Sequence, residues 1–131
     1  MTLSSLPPIM LEPLVRAALL EDLGRAGDLT SDAIVPKDLQ TKTVLSARQQ
    51  GVVAGLDLAG LAFRLIDQNV EMTVHRPDGS DVAQGEMIAS VSGPARAIFT
   101  AERTALNFLS HLSGIATATA SVVAAVRGHS A

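Results

Sequence analysis

The stretch Ala101-Glu102-Arg103-Thr104-Ala105-Leu106-Asn107-Phe108-Leu109, running on through Leu112-Ser113-Gly114-Ile115-Ala116-Thr117, decides how this chain is read. It is the longest run whose apolar residues keep helical time. Ile98, Ala101, Ala105, Leu109 and Leu112 fall on one stripe of a helix. Glu102 lies inside that stripe. A carboxylate there is expected to meet a cation or backbone N–H groups across a helix interface, because an unpaired buried charge is strongly destabilising. Arg103, Asn107, Ser110 and Gly114 line a neighbouring face. A guanidinium is a rigid fork of N–H donors that suits a carboxylate or phosphate, which makes Arg103 the candidate site residue. Periodicity reads this side of the helix as anion-facing or partner-facing, with Gly114 leaving room for close approach.

Working outward, 131 residues suffice for one domain with a real core. The chain has three Phe and neither Trp nor Tyr, so its packing is aliphatic and it offers no stacking platform for bases. A net charge of −3 with no basic run argues against a nucleic-acid partner. The absence of cysteine removes disulfides, thiolate nucleophiles, Cys-ligated zinc and iron–sulfur clusters, and fits a cytoplasmic protein. No basic region followed by an apolar core opens the chain, so no signal peptide is expected. Residues 104–126 carry no charge, but their Ser, Thr and Gly content, with Asn107 and His111, makes them too polar for a bilayer span, and no membrane partner is expected.

Residues 1–8 read as a lead-in. A first helix is predicted from Glu12-Pro13 to Gly24, with Leu11, Leu14, Val15, Ala18 and Leu19 as its apolar stripe. Glu21 and Asp22 in its last turn oppose the helix dipole, at about 0.3–1 kcal/mol each when exposed. They are solvated or paired with Arg25, or they meet a cation from elsewhere. Gly27-Asp28-Leu29-Thr30-Ser31-Asp32 is rich in capping residues. Strands are predicted at 40–48 and 52–54, and a second helix follows, capped by Asp57, with Leu58, Leu61, Ala62, Leu65 and Ile66 inward. Strands at 70–75 and 87–91 flank turns at Asp78-Gly79 and Gln84-Gly85. Gly93-Pro94 is read as a break before the long helix, and Ser113 as the cap of a last one built on Ile115, Ala118, Val122 and Val126. The fold class is α+β: an N-terminal α/β sandwich of short antiparallel strands over 1–99, then two helices over 100–131.

Chemical motifs are sparse. His75, His111 and His129 are isolated, no metal-ligand spacing is present, and no nucleophile elbow or phosphate-binding glycine loop occurs. Ser92-Gly93-Pro94 is either a bend or a set of amides open to an anion.

Taken together, the 101–109 and 112–117 runs, Glu21-Asp22-Leu23-Gly24, Gly27-Asp28-Leu29-Thr30, Gly51-Val52-Val53-Ala54-Gly55 and the Asp78-Gly79, Gly85, Gly93 series resemble quinolinate phosphoribosyltransferase, also called carboxylating nicotinate-nucleotide pyrophosphorylase. The resemblance covers nearly the whole chain. It implies an N-terminal sandwich domain leading by two helices into an open α/β barrel that is absent here, so the chain looks like an N-terminal fragment. It implies the conversion of quinolinate and phosphoribosyl pyrophosphate, with Mg²⁺, to nicotinate mononucleotide, pyrophosphate and CO₂ in NAD biosynthesis. It also implies a homodimer in which Arg103 reaches a substrate carboxylate in the partner subunit's site. No catalytic residue and no Mg²⁺ ligand is expected in these residues, and the chain alone is expected to be inactive. Two other readings stand beside it. One is a non-catalytic dimerisation fragment. The other is a lipoyl- or biotinyl-type carrier, which would need a hairpin-tip lysine where only Lys37 and Lys42 exist.

Overall fold

The computed structural model describes residues 7–26 and 35–129. The capping-rich Gly27-Asp28-Leu29-Thr30-Ser31-Asp32 segment lies outside the described residues. In chain order the elements are helix α1 (Pro8–Ala26), strands β1 (Gln40–Ser46) and β2 (Gly51–Val52), helix α2 (Leu56–Ile66), strands β3 (Glu71–Val74), β4 (Asp81–Val82) and β5 (Met87–Pro94), and helix α3 (Ala95–His129). β1, β5 and β3 form an antiparallel sheet with β5 in the middle, and β2 pairs antiparallel with β4. The α+β class with short antiparallel strands is what the sequence led us to expect.

One core joins these elements. Val15 and Leu19 of α1, Leu45 of β1, Val91 of β5 and Ile98, Ala101, Ala105 and Leu109 of α3 all enter it. The α3 stripe is therefore placed as its periodicity predicts. In α2 the buried set runs from Leu56 to Phe63 apart from Asp57, and Phe63 is 0% exposed, whereas Leu65 and Ile66 are only half-buried. A single stripe underestimates a helix covered from two sides, here by α1 and α3.

Three expectations are corrected. The first helix begins at Pro8 and takes Pro13 into its interior. Pro8 presets the opening dihedral, Met10 N donates to the Pro7 carbonyl at 2.9 Å, and Pro13 stands early enough to forfeit a single backbone bond. Asp57 does not cap α2. Gly55, at φ 95°, occupies the cap position, and Oδ1 of Asp78 accepts the Leu56 N–H at 3.2 Å from across a turn.

The third correction concerns the two closing helices, which are one helix of 35 residues. β5 runs straight through Gly93-Pro94, and α3 starts at the next residue. No proline falls within it, and an isolated glycine such as Gly114 weakens a helix by only about 1 kcal/mol. Ser113 is not a cap, because it lies inside this helix with its hydroxyl bonded to Ala54 of the segment between β2 and α2. By length and composition α3 is apolar enough to cross a membrane, against the expectation for residues 104–126. Its first half is nevertheless part of the domain core.

Candidate functional site

Helix α3 is seated on the segment after β1 by side-chain hydroxyls that act as a strand would. Val52 N–H donates to Oγ1 of Thr117 at 2.9 Å, and Ala54 N–H donates to Oγ of Ser113 at 3.0 Å. Ser113 returns a bond to the Ala54 carbonyl (3.1 Å), and Thr117 donates to the Ser113 carbonyl one turn back (2.7 Å). The opposite edge of the segment is paired with the β4 side, since Val53 N–H reaches the Ser80 carbonyl at 2.9 Å. Both edges of a short buried strand are thus satisfied.

Such closeness demands glycine at both ends of the segment. A Cβ on Gly51 would stand 2.4 Å from Oγ1 of Thr117, and one on Gly55 would stand 2.9 Å from Cδ1 of Leu112. Sequence reasoning quoted Gly51 and Gly55 but missed their partners. The signal was the matched spacing: Gly51 and Gly55 on one side, Ser113 and Thr117 on the other, each pair four apart.

This seating turns Arg103, Asn107, Ser110 and Gly114 outward, and all four are exposed. The sequence-predicted polar face therefore exists as a continuous ridge. Arg103 forms no hydrogen bond or ion pair with another described residue, and a Cβ on Gly114 would meet nothing within 4 Å. Clefts lie on both sides of the ridge. One, of about 640 Å³, runs between α1 and α3 and includes Glu21, Asp22, Asn107, Ser110 and His111. The other, of about 460 Å³, lies between α3 and the β1–β2 turn and includes Arg48, Gln50, Ser110, Gly114 and Thr117. Ser110 borders both.

Glu102 is half-buried, and it pairs with no other described residue. Among the described residues Asp22 meets a hydroxyl, while the side chain of Arg25 lies outside them. Oγ1 of Thr104, which is 2% exposed, donates to Oδ2 of Asp22 and ties α3 to α1. His75 Nε2 contacts Oγ of the buried Ser90 at 3.2 Å, and His111 stands in the α1–α3 cleft. The anion reading of Ser92-Gly93-Pro94 has no support. These residues pair with Gln40, Thr41 and Lys42 in the sheet, and the first amide of α3, Ala95 N–H, is taken by the Leu39 carbonyl at 2.8 Å. Lys42 sits within β1, and Lys37 lies in the turn that leads into β1, which joins no pair of strands, so neither occupies a hairpin tip and the carrier reading falls.

Asp78 is the one described side chain whose acidity the fold clearly moves. Burial raises its pKa above the ordinary aspartate value, the nearby Asp57 charge adds to that, and the Leu56 and Gly55 amides oppose it. Among the described residues no three His, Asp or Glu side chains converge on a possible metal position.

With this geometry in hand, comparison with known proteins is informative. Residues 28–113 match the family model described as quinolinate phosphoribosyl transferase, N-terminal domain. The chain is 39% identical over 113 residues to the chloroplastic carboxylating nicotinate-nucleotide pyrophosphorylase of Arabidopsis thaliana, covering 86% of this chain and 32% of the relative. It is 38% identical over 115 residues to a probable carboxylating nicotinate-nucleotide pyrophosphorylase of Bacillus subtilis, covering 88% and 39%. The crystal structure of NadC from Streptococcus pyogenes superposes with a TM-score of 0.88 at 37% identity, over 94% of this chain and 44% of that one. The chain spans roughly a third of the length of the curated relatives it matches.

Proposed function

The chain belongs to the quinolinate phosphoribosyltransferase family through its N-terminal domain, and from that premise we propose that it is the N-terminal part of an enzyme joining quinolinate to phosphoribosyl pyrophosphate. The products are nicotinate mononucleotide, pyrophosphate and CO₂, in the service of NAD biosynthesis. The observation that carries this reading is the α3 ridge. An arginine stands exposed at its head without a partner among the described residues, beside an amide, a hydroxyl and an open glycine. A dicarboxylate is matched by such a fork, because two parallel N–H···O bonds fix its orientation as well as its charge.

In this proposal Arg103 binds a quinolinate carboxylate in the partner subunit of a cytoplasmic homodimer. Residues 1–131 supply that arm and its scaffold. The groups that stabilise the departing pyrophosphate, and the ligands of Mg²⁺, belong to the remainder of such an enzyme. The 131-residue chain alone therefore turns over no substrate.

The test is kinetic, on the protein expressed from its native reading frame. Arg103→Ala raises KM for quinolinate at least about ten-fold, the loss of one charge-assisted bidentate contact, and leaves KM for phosphoribosyl pyrophosphate within about two-fold. An unchanged KM for quinolinate overturns the assignment.

A second reading, self-association without catalysis, is favoured for the chain by itself by one observation. Ile115, Val122, Val123 and Val126 of α3 are exposed together.

A further inference from the structure

The threonines of α3 do not all behave alike. Thr100, Thr117 and Thr119 donate their hydroxyls to carbonyls one turn back, those of Arg96, Ser113 and Ile115. This is the ordinary local habit of a helical threonine. Thr104 instead turns its hydroxyl away from its own helix and donates it to Asp22 of α1. It does so from a buried position between Ala101 and Ala105, both 0% exposed, where an unpaired hydroxyl would be unfavourable. Asp22 in turn is half-buried one turn before the end of α1 at Ala26, where the Thr104 hydroxyl is its hydrogen-bond donor. The buried hydroxyl and the half-buried carboxylate satisfy one another.

We infer that Asp22 and Thr104 are a positioning pair that sets the rotation of α3 at Arg103, and hence the direction in which that guanidinium is presented. The inference rests on the reading of Arg103 as a carboxylate-binding residue. Ser113 and Thr117 hold the helix on Ala54 and Val52, but they lie about 14 and 20 Å further along than Thr104 at 1.5 Å per residue. The apolar residues Ile98, Ala101, Ala105 and Leu109 fix which side of α3 is buried without fixing its rotation closely, because small alanine faces allow sliding. A directional bond one residue from Arg103 removes that freedom, since adjacent residues of a helix keep a fixed offset of about 100° and rotate together. The same bond brings the Asp22 carboxylate to the wall of the α1–α3 cleft, beside Asn107 on the ridge.

The experiment compares variants of the protein expressed from its native reading frame. Thr104→Val keeps the shape and deletes the donor, and Asp22→Ala deletes the acceptor from the half-exposed side. Each raises KM for quinolinate about ten-fold with kcat within about two-fold, since misplacement of an orienting group by a fraction of an ångström has effects of this order. Thr104→Ser restores the wild-type KM. Combined with Arg103→Ala, Thr104→Val adds no further rise, because the pair acts through Arg103. A full additional rise in the double variant, or an unmoved KM in both Thr104→Val and Asp22→Ala while Arg103→Ala raises it, overturns the positioning pair and leaves the function standing. If Arg103→Ala itself leaves KM unmoved, the reading of Arg103 fails, and the pair falls with it.

Discussion

Between Ala95 and Leu112, α3 buries Ile98, Ala101, Ala105 and Leu109 in the common core; from Ile115 to Val126 the same unbroken helix leaves Ile115, Val122, Val123 and Val126 exposed. Both halves carry a helical apolar stripe in sequence. The difference lies in what stands opposite. The first half faces α2, the sheet and α1, whereas beyond Thr117 no described element covers the helix. An apolar stripe thus specifies a face to be covered without specifying the cover. Helical stability in the first half comes from tertiary burial, and in the second from local bonds such as Thr119 to the Ile115 carbonyl.

The sharpest way to break this comparison is to truncate one aliphatic side chain in each half. Ile98→Ala, at a site 0% exposed, lowers unfolding free energy by about 2–5 kcal/mol through lost transfer energy and a cavity. Val122→Ala, at 62% exposed, stays within about 0.5 kcal/mol, because no packing is lost and alanine favours the helix. Urea unfolding of the two variants measures this, and equal losses would mean that the second half is covered after all.

The junction between the halves is the next place to press. Gly51→Ala drives a methyl group against Thr117 and lowers stability by about 1–3 kcal/mol. Adding Thr117→Ala recovers part of that loss despite removing the Val52 bond, so the double variant is more stable than additivity allows. Simple additivity in thermal melts would show that the hydroxyl seat does not set the helix–strand distance.

The smallest effect concerns the shelf that receives the first half. Asp78 holds Leu56 N–H beside Gly55, and burial raises its pKa. A carboxylate whose folded pKa exceeds its unfolded value binds extra protons in the native state. Its contribution is therefore fully present below the ordinary aspartate pKa of about 4 and is lost as pH rises through the folded value. Asp78→Asn keeps an acceptor and removes the charge. The variant is expected to equal or slightly exceed wild type near neutrality, with the difference shrinking as the pH falls toward about 4. A larger wild-type advantage at neutral pH than in acid would contradict this.

How much of this was readable beforehand depends on how local each determinant is. The α3 stripe, the polar ridge from Arg103 to Gly114 and the turn at Asp78-Gly79 follow from periodicity and dihedral preference, which act within a few residues. The single span of α3 was not readable, because Ser113 looks like a cap until its hydroxyl is seen on Ala54, 59 positions away. The same holds for Asp22, whose partner Thr104 lies 82 positions on. Phe63 was passed over since the stripe from Leu58 to Ile66 marks one face of α2, whereas that helix is covered from two sides.

The sequence by itself determined the α+β class, the outward ridge carrying Arg103, and the family to which these residues belong. The tertiary structure alone decided which hydroxyls replace a strand on the Val52–Ala54 edge, why Gly51 and Gly55 admit no side chain, and which hydroxyl Asp22 receives. The physical reason is one of range. Backbone preference and amphipathic period are encoded in neighbours along the chain, whereas hydrogen-bond satisfaction and close packing are set by residues that meet only when the chain has folded.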